Sequence, residues 1–210
     1  MKVLDIKANK LVAEFVGTFV LTFAVLASIN GFIDGVPTAV VAGFAVVISV
    51  LALGVISGSH INPAVTAALF SVGKIDAKNA IGYVVVQLLA GVAALGLMSS
   101  LLDDGGMMML DGGQAWDSRV VLAEALGAAF FTFGIAAAVK NKLAGIEQAA
   151  LIGGSLTLGL VFAAAAGSLG VLNPAVAIGL GVFNWSYALA PIIGAVIGMN
   201  IHEFLIADKK

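Results

Sequence analysis

Cysteine is absent from this sequence, which excludes disulfides, thiolate catalysis and cysteine-ligated metals. Charge is scarce too. Only 10% of the 210 residues are charged, where a soluble domain carries about a quarter, so there is too little polar surface to be wet on every side. No basic patch exists for nucleic acid, and a net charge of -2 selects no partner. Histidine occurs only at His60 and His202, too far apart in the chain to suggest a metal-ligand cluster. No nucleophile–base pair or phosphate loop is visible either, so neither an enzyme, a cofactor nor a metal is expected. What remains is apolar: 61% of residues are hydrophobic and the mean hydropathy is +1.12. The chain reads as an all-α membrane protein, stabilised by helix packing within a lipid bilayer.

Long apolar stretches run over 11–29, 37–57, 79–102, 120–139, 148–167 and 185–206. Each is close to the ~20 residues that cross a hydrocarbon core of ~30 Å. The first has the outline of a secretory signal, with lysines before it and Ala27-Ser28 near its end. Its apolar run is too long for that, and an uncleaved span is expected. Lys2, Lys7, Lys10, Lys74, Lys78, Lys140, Lys142, Lys209 and Lys210 all fall on one side of a six-span chain. The positive-inside rule makes that side cytoplasmic, with both termini inside a cell membrane. The other face carries Arg119 with Asp34, Asp103, Asp104, Asp111 and Asp117. Trp116 and Trp185 suit an interfacial belt. Loop 103–118 is expected as an external connector, with Met107 to Met109 resting on the membrane surface, and His202 beside Glu203 as an interfacial residue.

Two shorter apolar stretches, 62–72 and 173–183, interrupt this series, each long enough for about half a membrane. Gly73 and the neighbourhood of Asn184 are their expected stops. Both open on the same tripeptide, Asn62-Pro63-Ala64 and Asn173-Pro174-Ala175, 111 residues apart. Ala13-Glu14-Phe15-Val16-Gly17 with Thr22-Phe23 likewise recurs as Ala123-Glu124-Ala125-Leu126-Gly127 with Thr132-Phe133, 110 residues on. Tyr83 to Gly91 resembles Tyr187 to Ala195, with Gln87 where the second copy has Pro191. The chain is therefore expected to be one domain, 1–210, of two halves, roughly 8–102 and 118–207. Each half holds three spans and a half-helix, and an odd number of spans inserts the copies in opposite directions. Such inverted repeats place the functional site at mid-membrane, on the repeat interface. Ala13 with Gly17, Ala123 with Gly127 and Gly194 with Gly198 supply small-xxx-small pairs for close helix approach.

Asn is a preferred N-cap and Pro suits the next position, where no N–H is needed, so both tripeptides read as helix starts. A capping Asn spends its side-chain oxygen on the first turn and leaves its NH2 directed away from the helix. Two such donors facing one pathway would hold a passing water by its oxygen. The two positive helix ends would repel cations, and a donor-only constriction would interrupt a proton-conducting water chain.

With its paired tripeptides, the segment Ser57-Gly58-Ser59-His60-Ile61-Asn62-Pro63-Ala64-Val65-Thr66, Glu14 to Phe19, the Gly82-Tyr83 to Gln87 stretch and Glu124, the chain resembles the aquaporins of the major intrinsic protein family over nearly its whole length. The resemblance implies an aquaporin-like bundle of six transmembrane helices plus two half-helices, assembled as a homotetramer with one pore per protomer. It implies that His60 lines the cytoplasmic side of the pore, the other reading being a hydrogen-bonded loop residue. It also implies that Glu14 and Glu124 are structural, accepting bonds from the irregular backbone before each half-helix. Most aquaporins place an Arg directly after the second tripeptide; here that residue is Val176. The family's other filter positions map onto Ala42, Leu160 or Val161, and Gly170, none aromatic or charged. A wider, more apolar constriction follows. The expected function is a passive channel for water or small uncharged solutes such as glycerol, ammonia, urea, peroxide or gases, although an apolar ring can also gate by dewetting. Two other readings stand beside it: an ion- or proton-coupled transporter using Glu14 and Glu124, costly residues at that depth, and a non-conducting structural membrane protein.

Overall fold

The computed structural model describes residues 7–102, 106–108 and 110–207. Lys2, Asp103, Asp104, Met109, Lys209 and Lys210 lie outside the described residues. Among the described residues eight helices follow in order: α1 Ala8–Ile29, α2 Thr38–Ser57, α3 Pro63–Ser71, α4 Ala77–Leu101, α5 Ser118–Lys140, α6 Gly145–Ala165, α7 Pro174–Gly179 and α8 Trp185–Ala207. Six of them, all but α3 and α7, are long and apolar enough to cross a membrane. The pairing repeats between the halves. Helix α1 packs on α2 and α4, α5 packs on α6 and α8, and α2 meets α6 between them.

Local chemistry sets the helix ends. Asp76 accepts the Asn79 N–H to start α4, and Asp117 accepts the Arg119 and Val120 N–H groups to start α5. The Asn79 side chain, and then its N–H, hold the Asp76 carboxyl below its ordinary range. Gly73, at φ 69°, ends the first half-helix as expected, and Lys74 N–H returns to the Leu69 carbonyl. The second half-helix is shorter than its apolar stretch. It ends at Gly179, because Gly181 at φ 72° lets the Val182 N–H close on the Ala177 carbonyl. Asn184 is therefore not its stop but a start signal for α8, its side chain accepting the Tyr187 N–H at 3.2 Å.

Large apolar side chains cover the outside, and the mainly apolar interior also holds a set of polar groups. Val12, Phe44, Val55, Ile81 and Phe204 stand on the outside, whereas Glu14, Thr18, Thr22, Asn62, Gln87, Glu124, Thr132 and Asn173 are buried. Only lipid suits that exterior. Small residues let the helices close in. A Cβ on Gly194 or Gly198 would stand 2.0 Å from the carbonyl oxygen of Ala125 or Ala129 on α5, so α5 and α8 touch backbone to backbone. The glycines of the other two small pairs serve the loops as well. Gly17 makes room for the Ile61 side chain, and Gly127 for Leu172 and the Gly159 carbonyl.

The structure adds detail at three of the places singled out in the sequence. His202 is buried with its ring edge-on to Phe133 at 4.9 Å, because α8 presses that turn against α5. Met107 is half-buried, packs on the core and accepts a bond from Ser99, so it does not rest on a surface, whereas Met108 is exposed. The connector is also tied down. Asn30 accepts the Met108 N–H, Asn184 donates to the Gly112 and Gln114 carbonyls, and Ser186 accepts the Asp117 N–H.

Candidate functional site

Between α2 and α3, and again between α6 and α7, the chain runs as an irregular segment at the centre of the bundle. Buried backbone N–H groups there need acceptors. Glu14 supplies them for the first loop. One carboxylate oxygen accepts from Ser57 Oγ at 2.6 Å and His60 N–H at 2.9 Å. The other accepts from Ile61 N–H at 2.6 Å and Gln87 Nε2 at 2.8 Å. Glu124 repeats this for the second loop, accepting from Ser168 Oγ, from Val171 N–H at 2.9 Å and from Leu172 N–H at 2.6 Å. It lacks the fourth donor because Pro191 stands where the first half has Gln87. Four donors occupy the Glu14 carboxylate and three the Glu124 carboxylate, and two in each case are backbone N–H groups of the loop.

What they hold is strained. Ile61 and Leu172 have φ of 43° and 54°, a left-handed conformation costing about 1–3 kcal/mol for a non-glycine residue. That turn aims the next residue, Asn62 or Asn173, at the opposite loop. Asn62 Oδ1 accepts the Ala64 N–H at 2.7 Å, and Asn173 Oδ1 accepts those of Ala175 and Val176 at 3.0 and 3.4 Å, so both are the expected caps. Their NH2 groups reach across to the opposite loop. Asn62 Nδ2 donates to the Leu172 carbonyl at 2.9 Å, and Asn173 Nδ2 donates to the Ile61 carbonyl at 3.1 Å. Each amide has one hydrogen in this exchange across the two loops and one left over.

Both asparagines border a single cavity of about 530 Å³. All of Ala42, Leu160, Val161, Gly170 and Val176 line it as well. Of the two candidates on α6, Leu160 is buried at 7% exposure and Val161 is 46% exposed, which puts Leu160 further inside. Gly170 has φ 67°, and a Cβ there would lie 2.8 Å from the Leu160 carbonyl oxygen, so both backbone and space require glycine. Much of the remaining wall is apolar, with Thr38, Ser59 and Gln148 as polar members, and three of its apolar pairs were missed from the sequence: Leu21 with Phe131, Val25 with Ile135 and Val46 with Leu156. Each of these pairs is 110 residues apart, so the offset of the repeat was the signal that would have found them. His60 also lines the cavity, and separates it from a polar depression of about 470 Å³ bordered by Lys10, Lys74 and Asp76. Among the described residues no metal-holding cluster occurs.

These features define a polytopic membrane protein in which two half-helices meet head to head on a central cavity. The family profile described as Major intrinsic protein matches residues 3–202. The chain is 34% identical to glycerol uptake facilitator protein-like 6 of Lactiplantibacillus plantarum, an alignment covering 90% of this chain and 94% of that one. It is 33% identical to aquaporin NIP6-1 of Arabidopsis thaliana, covering 94% and 68%. The solved aquaglyceroporin of Plasmodium falciparum superposes with a TM-score of 0.78 over 96% of this chain and 97% of that one, at 20% identity, which speaks for the fold. The chain belongs to the major intrinsic protein family of membrane channels, and is not an enzyme.

Proposed function

We propose that the cavity is a passive conduit for water and small uncharged solutes, glycerol, ammonia, urea, peroxide or gases among them. The observation that carries this is the pair of asparagine amides. Each is fixed by its own helix and by the opposite loop, and each keeps one N–H for whatever passes. Asn62-Pro63-Ala64 and Asn173-Pro174-Ala175 form its midpoint, and His60 its cytoplasmic neck. Ala42, Leu160, Gly170 and Val176, with Val161 behind them, form an outer ring without charge. Cation exclusion then falls mainly on the half-helix starts. Helix α7, at six residues, contributes less than α3. Glu14 and Glu124 keep structural roles, which leaves a coupled transporter without carriers.

In this reading 8–102 and 118–207 are halves of opposite sense in one domain. The lysine-bearing side, where Lys140 pairs with Glu203 at 3.8 Å and Asn200 with Ser71 at 2.8 Å, faces the cytoplasm of a cell membrane. Four copies assemble, each with its own conduit.

Stopped-flow swelling of proteoliposomes with water, glycerol, urea and ammonia tests the reading, with Val176→Arg beside the native chain. We expect the native protein to accelerate at least one of these fluxes over empty vesicles. Val176→Arg should slow glycerol, urea and any cation leak more than water. Equal slowing of all would remove Val176 from the narrowest ring, and native vesicles no faster than empty ones would sink the conduit.

A further inference from the structure

His60 belongs to a side-chain cluster that one half of the molecule has and the other lacks. Its Nδ1 lies 3.2 Å from Thr66 Oγ1. Thr66 Oγ1 donates to the Asn62 carbonyl at 3.0 Å and accepts from Gln87 Nε2 at 3.1 Å. Gln87 is oriented in turn by donating to Glu14 at 2.8 Å, since a carboxylate only accepts. At the matched positions of the second half stand Val171, Ala177 and Pro191, none of which can make this network.

A hydroxyl has one hydrogen and two lone pairs. The Thr66 hydrogen is taken by the Asn62 carbonyl, a better-placed acceptor than Gln87 Oε1 at 3.4 Å. One lone pair receives Gln87. The remaining lone pair can only receive a hydrogen, so the ring nitrogen facing it must carry one. Neutral His60 then has its proton on Nδ1 and none on Nε2. Among the described residues Nε2 has no hydrogen-bond partner, and it is not sealed from solvent but open to the cavities that His60 borders.

We propose that Thr66, itself fixed by Gln87, is a positioning residue that locks His60 in the Nδ1–H tautomer, so that the cytoplasmic neck presents a neutral hydrogen-bond acceptor in series with the two asparagine donors. The lock stands on the hydrogen-bond count alone; its role in passage rests on reading the cavity as a conduit. A solute that brings hydrogens, such as water, ammonia or a polyol, is taken at the neck by its hydrogen and at the midpoint by its lone pair. An aprotic solute gains nothing at the neck.

The chain has just two histidines, so 15N-histidine labelling in proteoliposomes at about pH 8, above the ordinary histidine range, gives two ring systems. His202→Asn or, independently, His60→Asn assigns them. We expect a protonated Nδ1 and a bare Nε2 for His60. Thr66→Val should move His60 toward the other tautomer and leave His202 unchanged, and Thr66→Ser should restore it. Water and glycerol swelling should fall by about two- to tenfold in Thr66→Val, the worth of one neutral hydrogen bond, and recover in Thr66→Ser. A wild-type His60 protonated at Nε2 overturns the lock without any variant, so a poorly folding Thr66→Val does not shield it. A tautomer indifferent to Thr66→Val overturns it too. A switched tautomer with unchanged swelling overturns the role of the acceptor in passage. Wild-type vesicles that do not swell would defeat the conduit, while the spectrum still decides the lock.

Discussion

Replacing Glu14 with leucine is expected to give a protein that barely folds. Four buried donors lose their acceptor at once: Ser57 Oγ, the N–H groups of His60 and Ile61, and Gln87 Nε2. An orphaned buried donor costs about 1–3 kcal/mol, so the sum approaches the whole stability of a domain, about 5–15 kcal/mol. The left-handed Ile61 also loses what holds it in place. Thermal denaturation in detergent should show a midpoint lowered by at least about 10 °C, and reconstituted material should not conduct. Glu14→Gln keeps some acceptor capacity but turns an amide NH2 toward other donors, so it should fall between native and Glu14→Leu. Glu124→Leu orphans three donors instead of four and should be the milder lesion of the two leucines. Near-native melting of Glu14→Leu would show that the loops are held by something else. Gradient-driven accumulation by the native protein, lost in Glu14→Gln, would restore the coupled transporter.

The second large effect lies where α5 and α8 meet. Gly198→Leu should abolish recovery of folded protein, and Gly198→Ala should already be harmful. The first added carbon falls 2.0 Å from the Ala129 carbonyl oxygen, and a backbone atom in a helix cannot step aside as a flexible side chain can. Overpacking costs about 1–3 kcal/mol when side chains absorb it, and more when they cannot. Gly96→Ala and Gly154→Ala are the controls, since a Cβ at either position meets nothing within 4 Å. Both lie inside helices, where alanine exceeds glycine by about 1 kcal/mol, so these variants should melt at or slightly above the native midpoint. Size-exclusion profiles and melting curves in one detergent separate the outcomes. Equal behaviour of all the alanine variants would mean that the helices part readily at Gly198.

Much of this was legible in the chain because it rests on short-range rules. Six apolar runs of membrane length and Asn-Pro at two helix starts each carry their own physical cause. The 110-residue offset linked Glu14 to Glu124 before any contact was known. The end of α7 was not legible, since the apolar run continues past Gly181 and only the left-handed backbone there closes the helix. The exchange between the two loops was hidden for a different reason. Nothing local to Asn62 says that its amide will meet the carbonyl of Leu172, because that depends on how two distant segments face each other. Thr66 and Gln87 sat in plain view beside the first tripeptide and within the repeat. Their job emerges only once hydrogens are counted around Thr66 Oγ1.

Asn62 and Asn173 each donate to the segment preceding the other, and this has a consequence for how the molecule is made. A ribosome delivers the first tripeptide long before the second. Until Leu172 and Asn173 have entered the bilayer, the carbonyl of Ile61 lacks its donor and the amide of Asn62 lacks its acceptor. Completion of the centre is thus a late event in biogenesis, and a nascent chain released before Leu172 should leave its first re-entrant segment open to proteolysis.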